Sequence, residues 1–141
     1  MFSRILLAYD GSVLSKKALE YACRLAEDNR AKLEVVHVLH NPVAVIGEAI
    51  FNPSEEYEKA YINRTESMIE DLNRQLSGLP DARATMLIGN PVTAILDYAK
   101  EMSADIVIVG SRGLSEMQEL FLGSVSHNIV QHASIPVLVV K

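Results

Sequence analysis

Three glycines spaced for phosphate binding are the residues of this chain that point most directly to chemistry. Gly110, Gly113 and Gly123 follow the pattern G-x2-G-x9-G-S, which Ser124 completes. Glycine has no Cβ, so the backbone there can turn tightly and approach a ligand closely. A helix beginning near Gly123 would point its unpaired N–H groups and positive dipole end at that ligand. The pattern therefore predicts an anion site, and a nucleotide phosphate is the anion expected on an α/β sheet.

Polar groups within and just after this pattern extend the predicted site. Arg112 supplies a cation suited to a phosphate oxygen, although it reads equally well as a solvated loop arginine. Ser124, Val125 and Ser126 offer backbone N–H groups at the helix start, and the two serines add hydroxyls. Ser124 also fits the role of a plain helix N-cap. We predict that all four residues contribute to the nucleotide site.

A second group of candidate residues ends the first apolar run of the chain. It consists of Ala8, Tyr9 and Asp10, and Gly11 follows. The Asp10 carboxylate is suited to accept hydrogen bonds from ribose hydroxyls or to hold a metal ion, and it also fits a turn before Gly11. Ligands of open α/β sheets bind at the carboxyl ends of the strands, where the winding reverses. We therefore expect these residues and the glycine pattern to form one cleft.

Several common catalytic signatures are absent from the sequence. It has neither the phosphate-binding G-x4-G-K-[ST] nor, in the first strand–helix turn, the dinucleotide pattern G-x-G-x-x-G. No cysteine cluster or H-E-x-x-H suggests zinc, and His37, His127 and His132 are interpreted as structural or exposed. No general base is evident near the phosphates. We therefore predict no catalytic residue and no efficient hydrolysis, and we leave the metal ligands unassigned.

Composition narrows the class of protein and its partners. The chain has 141 residues, a formal net charge of −5 and no basic run, which argues against nucleic-acid or anionic-membrane binding. No stretch approaches the roughly 18 apolar residues of a membrane span. Its single cysteine, Cys23, excludes an intrachain disulfide. We expect a cytoplasmic protein that binds neither nucleic acid nor membrane.

Apolar runs of strand length alternate with helical segments, and these elements must position the candidate residues. The predicted strands span 5–9, 33–39, 84–88, 105–109 and 136–140, and the predicted helices begin at or near Ser12, Ser54, Asn90 and Ser124. Strict alternation implies a parallel sheet covered on both faces. With right-handed crossovers, the prediction is a single doubly wound α/β domain over residues 1–141.

The connection between the second strand and the second helix is unusually long. It runs from about His40 to Pro53 and contains the apolar stretches 43–46 and 49–51. Connections of this length are often functional or mobile. The segment reads either as a flap over the ligand or an oligomer contact, or as a disordered excursion or a short helix that patches the core.

The whole chain resembles the universal stress protein family. The resemblance rests on three segments, residues 6–12 (LLAYDGS), 36–38 (VHV) and 104–113 (ADIVIVGSRG), followed by 123–126 (GSVS) and 136–140 (PVLVV). The spacing G-x2-G-x9-G-[ST] is that of the family's ATP-binding branch, and here it is intact.

The resemblance implies an arrangement for the site and a sheet of order 3-2-1-4-5. An adenine nucleotide would lie between strands one and four, with Asp10 at the ribose and the Val38 backbone at adenine. Gly110, Gly113, Gly123 and Ser124 would hold ribose and phosphates, often with a divalent ion such as Mg²⁺ or Mn²⁺. The family commonly dimerises through the last strand, here Pro136 to Val140, whose edge would otherwise stay unpaired.

The leading hypothesis is a homodimeric ATP-binding module that acts as a nucleotide-dependent switch or sensor in stress response, with a protein partner still to be identified. Occupancy would order the insert at 114–122 and, with it, the 40–53 connection. Two glutamates and no cation in this insert keep AMP or ADP open as ligands. The alternatives are a slow ATPase, an AMP- or ADP-binding regulatory protein, and a nucleotide-free dimeric interaction module.

Overall fold

The computed structural model describes residues 1–40, 44–46, 49–51, 55–113 and 122–141. Its strands, in chain order, are β1 (Arg4–Ala8), β2 (Lys32–Leu39), β3 (Ala44–Ile46), β4 (Ala49–Phe51), β5 (Ala82–Ile88), β6 (Ile106–Gly110) and β7 (Val137–Val140). Five of them form a parallel sheet in the order β5-β2-β1-β6-β7. Numbered along the chain without β3 and β4, this is the expected order 3-2-1-4-5, so the predicted fold is confirmed.

Helices cover both faces of the sheet. They are α1 (Val13–Asn29), α2 (Glu55–Leu76), α3 (Pro91–Glu101) and α4 (Ser124–His132). The core between the sheet and the first two helices contains Leu19 and Leu72, and the core on the opposite face contains Ile95 and Ile129. Among the described residues, none of the helices combines the length and the hydropathy of a membrane span.

Local capping sets the starts of two helices as the sequence predicts. The Ser12 hydroxyl accepts the Ser15 N–H at 3.1 Å and caps α1. The Asn90 side chain accepts the Thr93 N–H at 3.2 Å, and Pro91 takes the first helical position of α3.

The start of α4 differs from one prediction. Gly123 is the N-cap residue, with φ of −62° and ψ of 161°, and Ser124 is the first helical residue. The interpretation of Ser124 as a plain N-cap is therefore wrong. The reason is geometric, since an N-cap residue must have non-helical dihedrals and Ser124 already belongs to the helix.

One expectation about the core needs correction. The spacing of apolar residues in α4 predicts Val125, Ile129 and Val130 on its inward face, but Val130 is 43% exposed, whereas Ile129 is completely buried. In α2 the polar Thr65 is buried, and its hydroxyl donates to the Tyr61 carbonyl at 3.0 Å. Tertiary packing, not periodicity alone, selects which part of a helix is covered.

Glu34 is a charged residue in the interior of the sheet. It lies in β2 and is 1% exposed. Arg83 on neighbouring β5 donates to its Oε1 from Nε at 3.0 Å and pairs with it through a second guanidinium nitrogen at 2.9 Å, and the Lys32 ammonium lies 3.4 Å away. Buried charges are tolerated when they are paired in this way.

The register of the sheet brings the candidate segments together. Ile5 pairs with Ile106 and Leu7 with Ile108, so β1 and β6 end side by side. The chain leaves β1 toward β2 on one side, while β6 lies on the other. The carboxyl ends of β1 and β6 therefore flank the point where the winding reverses.

The connection at 40–53 contains the antiparallel pair β3 and β4, with Val45 opposite Ile50. Residues 41–43, 47–48 and 52–53 of this connection, and residues 114–121 of the predicted insert, lie outside the described residues. The expectations of a flap and of ordering on ligand binding therefore stay predictions.

Candidate functional site

A cavity of about 240 Å³ lies at the carboxyl ends of β1, β2 and β6. Every residue predicted for the site lines it. These residues are Ala8, Tyr9, Asp10, Val38, Gly110, Arg112, Gly113, Gly123, Ser124, Val125 and Ser126. The structure thus brings four separate parts of the sequence into one site, while their individual roles remain predictions.

Other lining residues were not predicted from the sequence. They are Ser12, Ser15, Val36, His37, Pro91, Ile95 and Val109. The signal that could have revealed Pro91 and Ile95 is positional, because α3 begins directly after a strand and therefore starts at the same edge of the sheet as the glycine pattern.

Asp10 lines the cavity and also shapes the turn that carries it. Its Oδ1 accepts the backbone N–H of Ser12 at 2.9 Å, the i to i+2 bond typical of an aspartate turn. The next residue, Gly11, has φ of +83°, a conformation that side chains rarely adopt. The turn alternative is therefore realised, and it holds the carboxylate at the cavity.

Gly113 brings the segment after β6 against Asp10. A Cβ atom added to Gly113 would lie 2.6 Å from Asp10 Oδ2, well inside van der Waals contact. Only glycine permits this approach without moving the carboxylate. Gly113 therefore joins the two halves of the predicted site.

Gly110 serves packing. A Cβ atom there would lie 3.1 Å from the Leu14 Cβ, 3.2 Å from the Leu14 carbonyl carbon and 3.3 Å from the Ser15 nitrogen. The end of β6 therefore packs directly on the first turn of α1. This glycine positions the lining of the cavity through helix–strand contact.

The first turn of α4 presents backbone N–H groups at the cavity. The helix's first backbone hydrogen bond runs from His127 N–H to Gly123 O at 2.8 Å. The N–H groups of Ser124, Val125 and Ser126 precede that bond and belong to the first turn, before the i to i−4 hydrogen bonds of the helix begin. Together with the dipole they favour a negatively charged group here.

Part of the cavity lining is apolar. Val36 and Val38 on β2, Ile95 on α3 and Val109 on β6 line it. A site lined by apolar side chains and by helix N–H groups suits a ligand with a flat apolar part and an anionic part.

His37 holds the end of β1 beside β2. Its Nδ1 lies 2.8 Å from the carbonyl oxygen of Tyr9. Because a carbonyl only accepts hydrogen bonds, Nδ1 is the donor. This contact agrees with the structural role that the sequence predicts for the histidine.

Charge in the cavity comes from few groups. Asp10 is the only carboxylate and Arg112 the only guanidinium among the described lining residues. Burial, together with the charge of Asp10, raises the pKa of Tyr9 above 10.0, so this phenol stays neutral at physiological pH.

Within the described part of the chain, no cluster of three or more His, Cys, Asp or Glu side chains could hold a metal ion.

Comparison with known proteins identifies the family to which the chain is similar. The model of the universal stress protein family matches residues 1–141. The chain is 40% identical, over 141 residues and the full length of both proteins, to a universal stress protein of Thermus aquaticus encoded in the 3′ region of a QAH/OAS sulfhydrylase.

Solved structures agree on the fold. The chain superimposes on the universal stress protein UspA from Lactobacillus plantarum with a TM-score of 0.83 at 22% identity, covering 99% of this chain and 97% of that one. A universal stress protein solved in complex with cAMP matches with a TM-score of 0.64 at 26% identity, over 99% and 97% of the two chains. This protein belongs to the universal stress protein family.

Proposed function

We propose that this protein binds an adenine nucleotide, ATP, between the ends of β1 and β6, and that it acts as a nucleotide-dependent switch in a stress response. The observation that carries the proposal is the convergence of Asp10, the Gly113 segment and the first turn of α4 on one cavity. The Asp10 carboxylate is suited to a ribose, and the Gly113 segment and the first turn of α4 are suited to phosphates.

The geometry suggests how the components would lie. The base would contact the apolar side at Val38 and Ile95, and the Asp10 carboxylate would accept hydrogen bonds from the ribose hydroxyls. The phosphates would face Gly113 and the start of α4, with Arg112 as a counter-charge. A Mg²⁺ or Mn²⁺ ion, if bound, would find most of its oxygen ligands on the phosphates and on water.

A relative supports the class of ligand. The cAMP complex of a universal stress protein contains the same adenine and ribose groups that we assign to this cavity. It leaves the number of phosphates open, so AMP and ADP compete with ATP as the ligand of this chain.

Nucleotide content and direct titration test the proposal. Mass spectrometry of the supernatant from denatured purified protein should show a co-purified adenine nucleotide. Calorimetry on nucleotide-free protein should detect binding of ATP. The affinities for ADP, AMP and cAMP show how binding depends on the number of phosphates, and the affinity for GTP shows whether the protein selects adenine. Protein that carries no nucleotide and gives no signal with any of the five ligands would refute the proposal.

Switching without rapid turnover is the expected behaviour. Asp10 is the only acidic residue among the described lining residues, and it is held by the turn to Ser12. We infer a cytoplasmic homodimer, formed through the exposed backbone edge of β7, that retains ATP long enough to signal to a protein partner. Phosphate release above a few turnovers per hour that is lost in Asp10→Ala would favour the slow ATPase instead.

A further inference from the structure

We propose that Ser126 is a positioning residue, whose buried hydroxyl fixes the two halves of the glycine pattern at their binding distance and does not itself bind phosphate. The inference rests on the proposed nucleotide function. It concerns the side chain of Ser126, whereas the backbone N–H of this residue belongs to the first turn of α4 that lines the cavity.

The hydroxyl makes two contacts that join distant parts of the chain. Ser126 Oγ donates to the carbonyl of Ser111 at 2.8 Å and to the carbonyl of Gly123 at 3.0 Å. The Ser111 carbonyl also accepts the Gly123 N–H at 2.6 Å. We call these three hydrogen bonds among Ser111, Gly123 and Ser126 the serine latch.

Burial separates Ser126 from Ser124. Ser126 is 4% exposed and Ser111 is 7% exposed, whereas Ser124, two residues earlier on the same helix, is exposed. A serine hydroxyl has one proton, and the two carbonyls already share that of Ser126. Its hydroxyl therefore has no proton left to donate to a phosphate oxygen.

The latch fixes α4 to the sheet. Ser111 follows β6, and its N–H donates to the carbonyl of Val140 on β7 at 2.8 Å. The first turn of α4 is thus tied through Ser111 to the two strands beside it. Because this turn presents its N–H groups to the cavity, the latch sets the distance between those groups and the Gly110 to Gly113 segment.

Loss of the latch should affect only part of the ligand. The apolar side of the cavity, at Val38 and Ile95, belongs to β2 and α3, which the latch does not contact. Removing the hydroxyl should therefore weaken the contacts of the phosphates and spare those of the base and ribose. A merely destabilised protein would lose both.

Calorimetry with ATP and with adenosine tests this difference. Ser126→Ala should bind ATP about tenfold more weakly, while its adenosine affinity stays within about twofold of wild type. Ser126→Thr keeps the hydroxyl and should bind ATP within about threefold of wild type. The exposed Ser134→Ala is the matched control and should bind both ligands normally.

Three outcomes would overturn the inference. They are equal losses of ATP and adenosine affinity in Ser126→Ala, unchanged ATP affinity in that variant, and a loss in Ser126→Thr as large as in Ser126→Ala. The thermal midpoint of each variant, measured without ligand, identifies a protein that has failed to fold, and Ser126→Thr then carries the test.

Amide hydrogen exchange tests the latch without nucleotide. In ligand-free protein, Ser126→Ala should speed the exchange of the Gly123 amide about tenfold. The Gly123 N–H donates to the Ser111 carbonyl, and that carbonyl would no longer be held in place by the Ser126 hydroxyl. Unchanged exchange there would refute the latch. This result stands even if wild type binds no nucleotide, so failure of the latch and failure of the proposed function are distinguishable.

Discussion

Gly113 and Asp10 fit together only because Gly113 lacks a side chain. The position of a Cβ on Gly113 is 2.6 Å from Asp10 Oδ2, although the two residues lie more than a hundred positions apart in sequence. A short glycine segment after β6 therefore approaches the carboxylate that opens the turn after β1. This contact turns two sequence motifs into one site.

Replacing Gly113 by alanine should displace the Asp10 carboxylate, because the added carbon would overlap its oxygen. We expect ATP affinity to fall about tenfold or more, since ribose recognition depends on the position of that group. Calorimetry measures the effect. Gly78→Ala, where a Cβ meets nothing within 4 Å, is the control, and normal ATP binding by Gly113→Ala would contradict the predicted role.

Substitutions of Asp10 should separate turn formation from ligand binding. Asparagine retains an oxygen that can accept the Ser12 N–H, so Asp10→Asn should keep a near-wild-type thermal midpoint while ATP affinity falls. Alanine loses that acceptor as well, and Asp10→Ala should lower both. Thermal unfolding measures the stability of the two variants, and calorimetry measures their affinity for ATP. Equal thermal midpoints in the two variants would show that the turn does not depend on the carboxylate.

Gly110→Ala should reduce the stability of the fold. The new methyl group would lie within 3.3 Å of the Leu14 carbonyl carbon and the Ser15 nitrogen, backbone atoms that cannot rotate away. Overpacking of this kind costs about 1–3 kcal/mol, which urea denaturation resolves. The exposed Gly78→Ala should stay within about 0.5 kcal/mol of wild type. A Gly110→Ala protein as stable as the control would mean that α1 shifts freely.

The Glu34 cluster should make stability depend on pH at the acidic end. Burial opposes ionisation of this carboxyl, yet the hydrogen bond from Tyr98 and the charge and hydrogen bond of Arg83 hold its pKa below the ordinary 4.5. A carboxyl whose pKa is lowered by folding stabilises the protein above its unfolded pKa, and the benefit disappears as the pH falls through its folded pKa.

Arg83→Gln therefore has a predicted pH profile. It should lower the free energy of unfolding at neutral pH, and its difference from wild type should shrink as the pH drops below 4.5, where Glu34 takes up a proton. Urea denaturation across that range measures it. Arg24→Gln, an exposed arginine on α1, controls for loss of charge. A difference that is constant with pH would exclude Glu34 as the partner responsible.

The edge of β7 should form the predicted homodimer. β7 is the last strand of the sheet and has only β6 as a neighbour within the described residues, so one row of its backbone groups is available for pairing. Light scattering should give twice the mass of one chain. Amide exchange of residues 137–140 should slow as protein concentration rises. A monomer with concentration-independent exchange would contradict this edge as the interface.

Much of the fold could be predicted because its signals are local. The helix starts at Ser12 and Asn90 follow from side-chain capping and from proline at the first helical position, which depend on adjacent residues. Alternation of strands and helices then fixed a parallel sheet. Burial was less predictable, and the inward position expected for Val130 was wrong, because the packed part of a helix face depends on the neighbouring element.

The sequence by itself determined which residue types are available for the site. It also indicated that Asp10 and the first glycines of the pattern follow directly after strands. It could not assign the glycines different tasks, since all three lack a side chain in the same way. Tertiary structure decided that Gly110 packs on α1, that Gly113 contacts Asp10 and that Gly123 caps α4. It also committed the Ser126 hydroxyl to Ser111. These roles depend on contacts between segments distant in the chain, which only the packed sheet and helices bring within bonding distance.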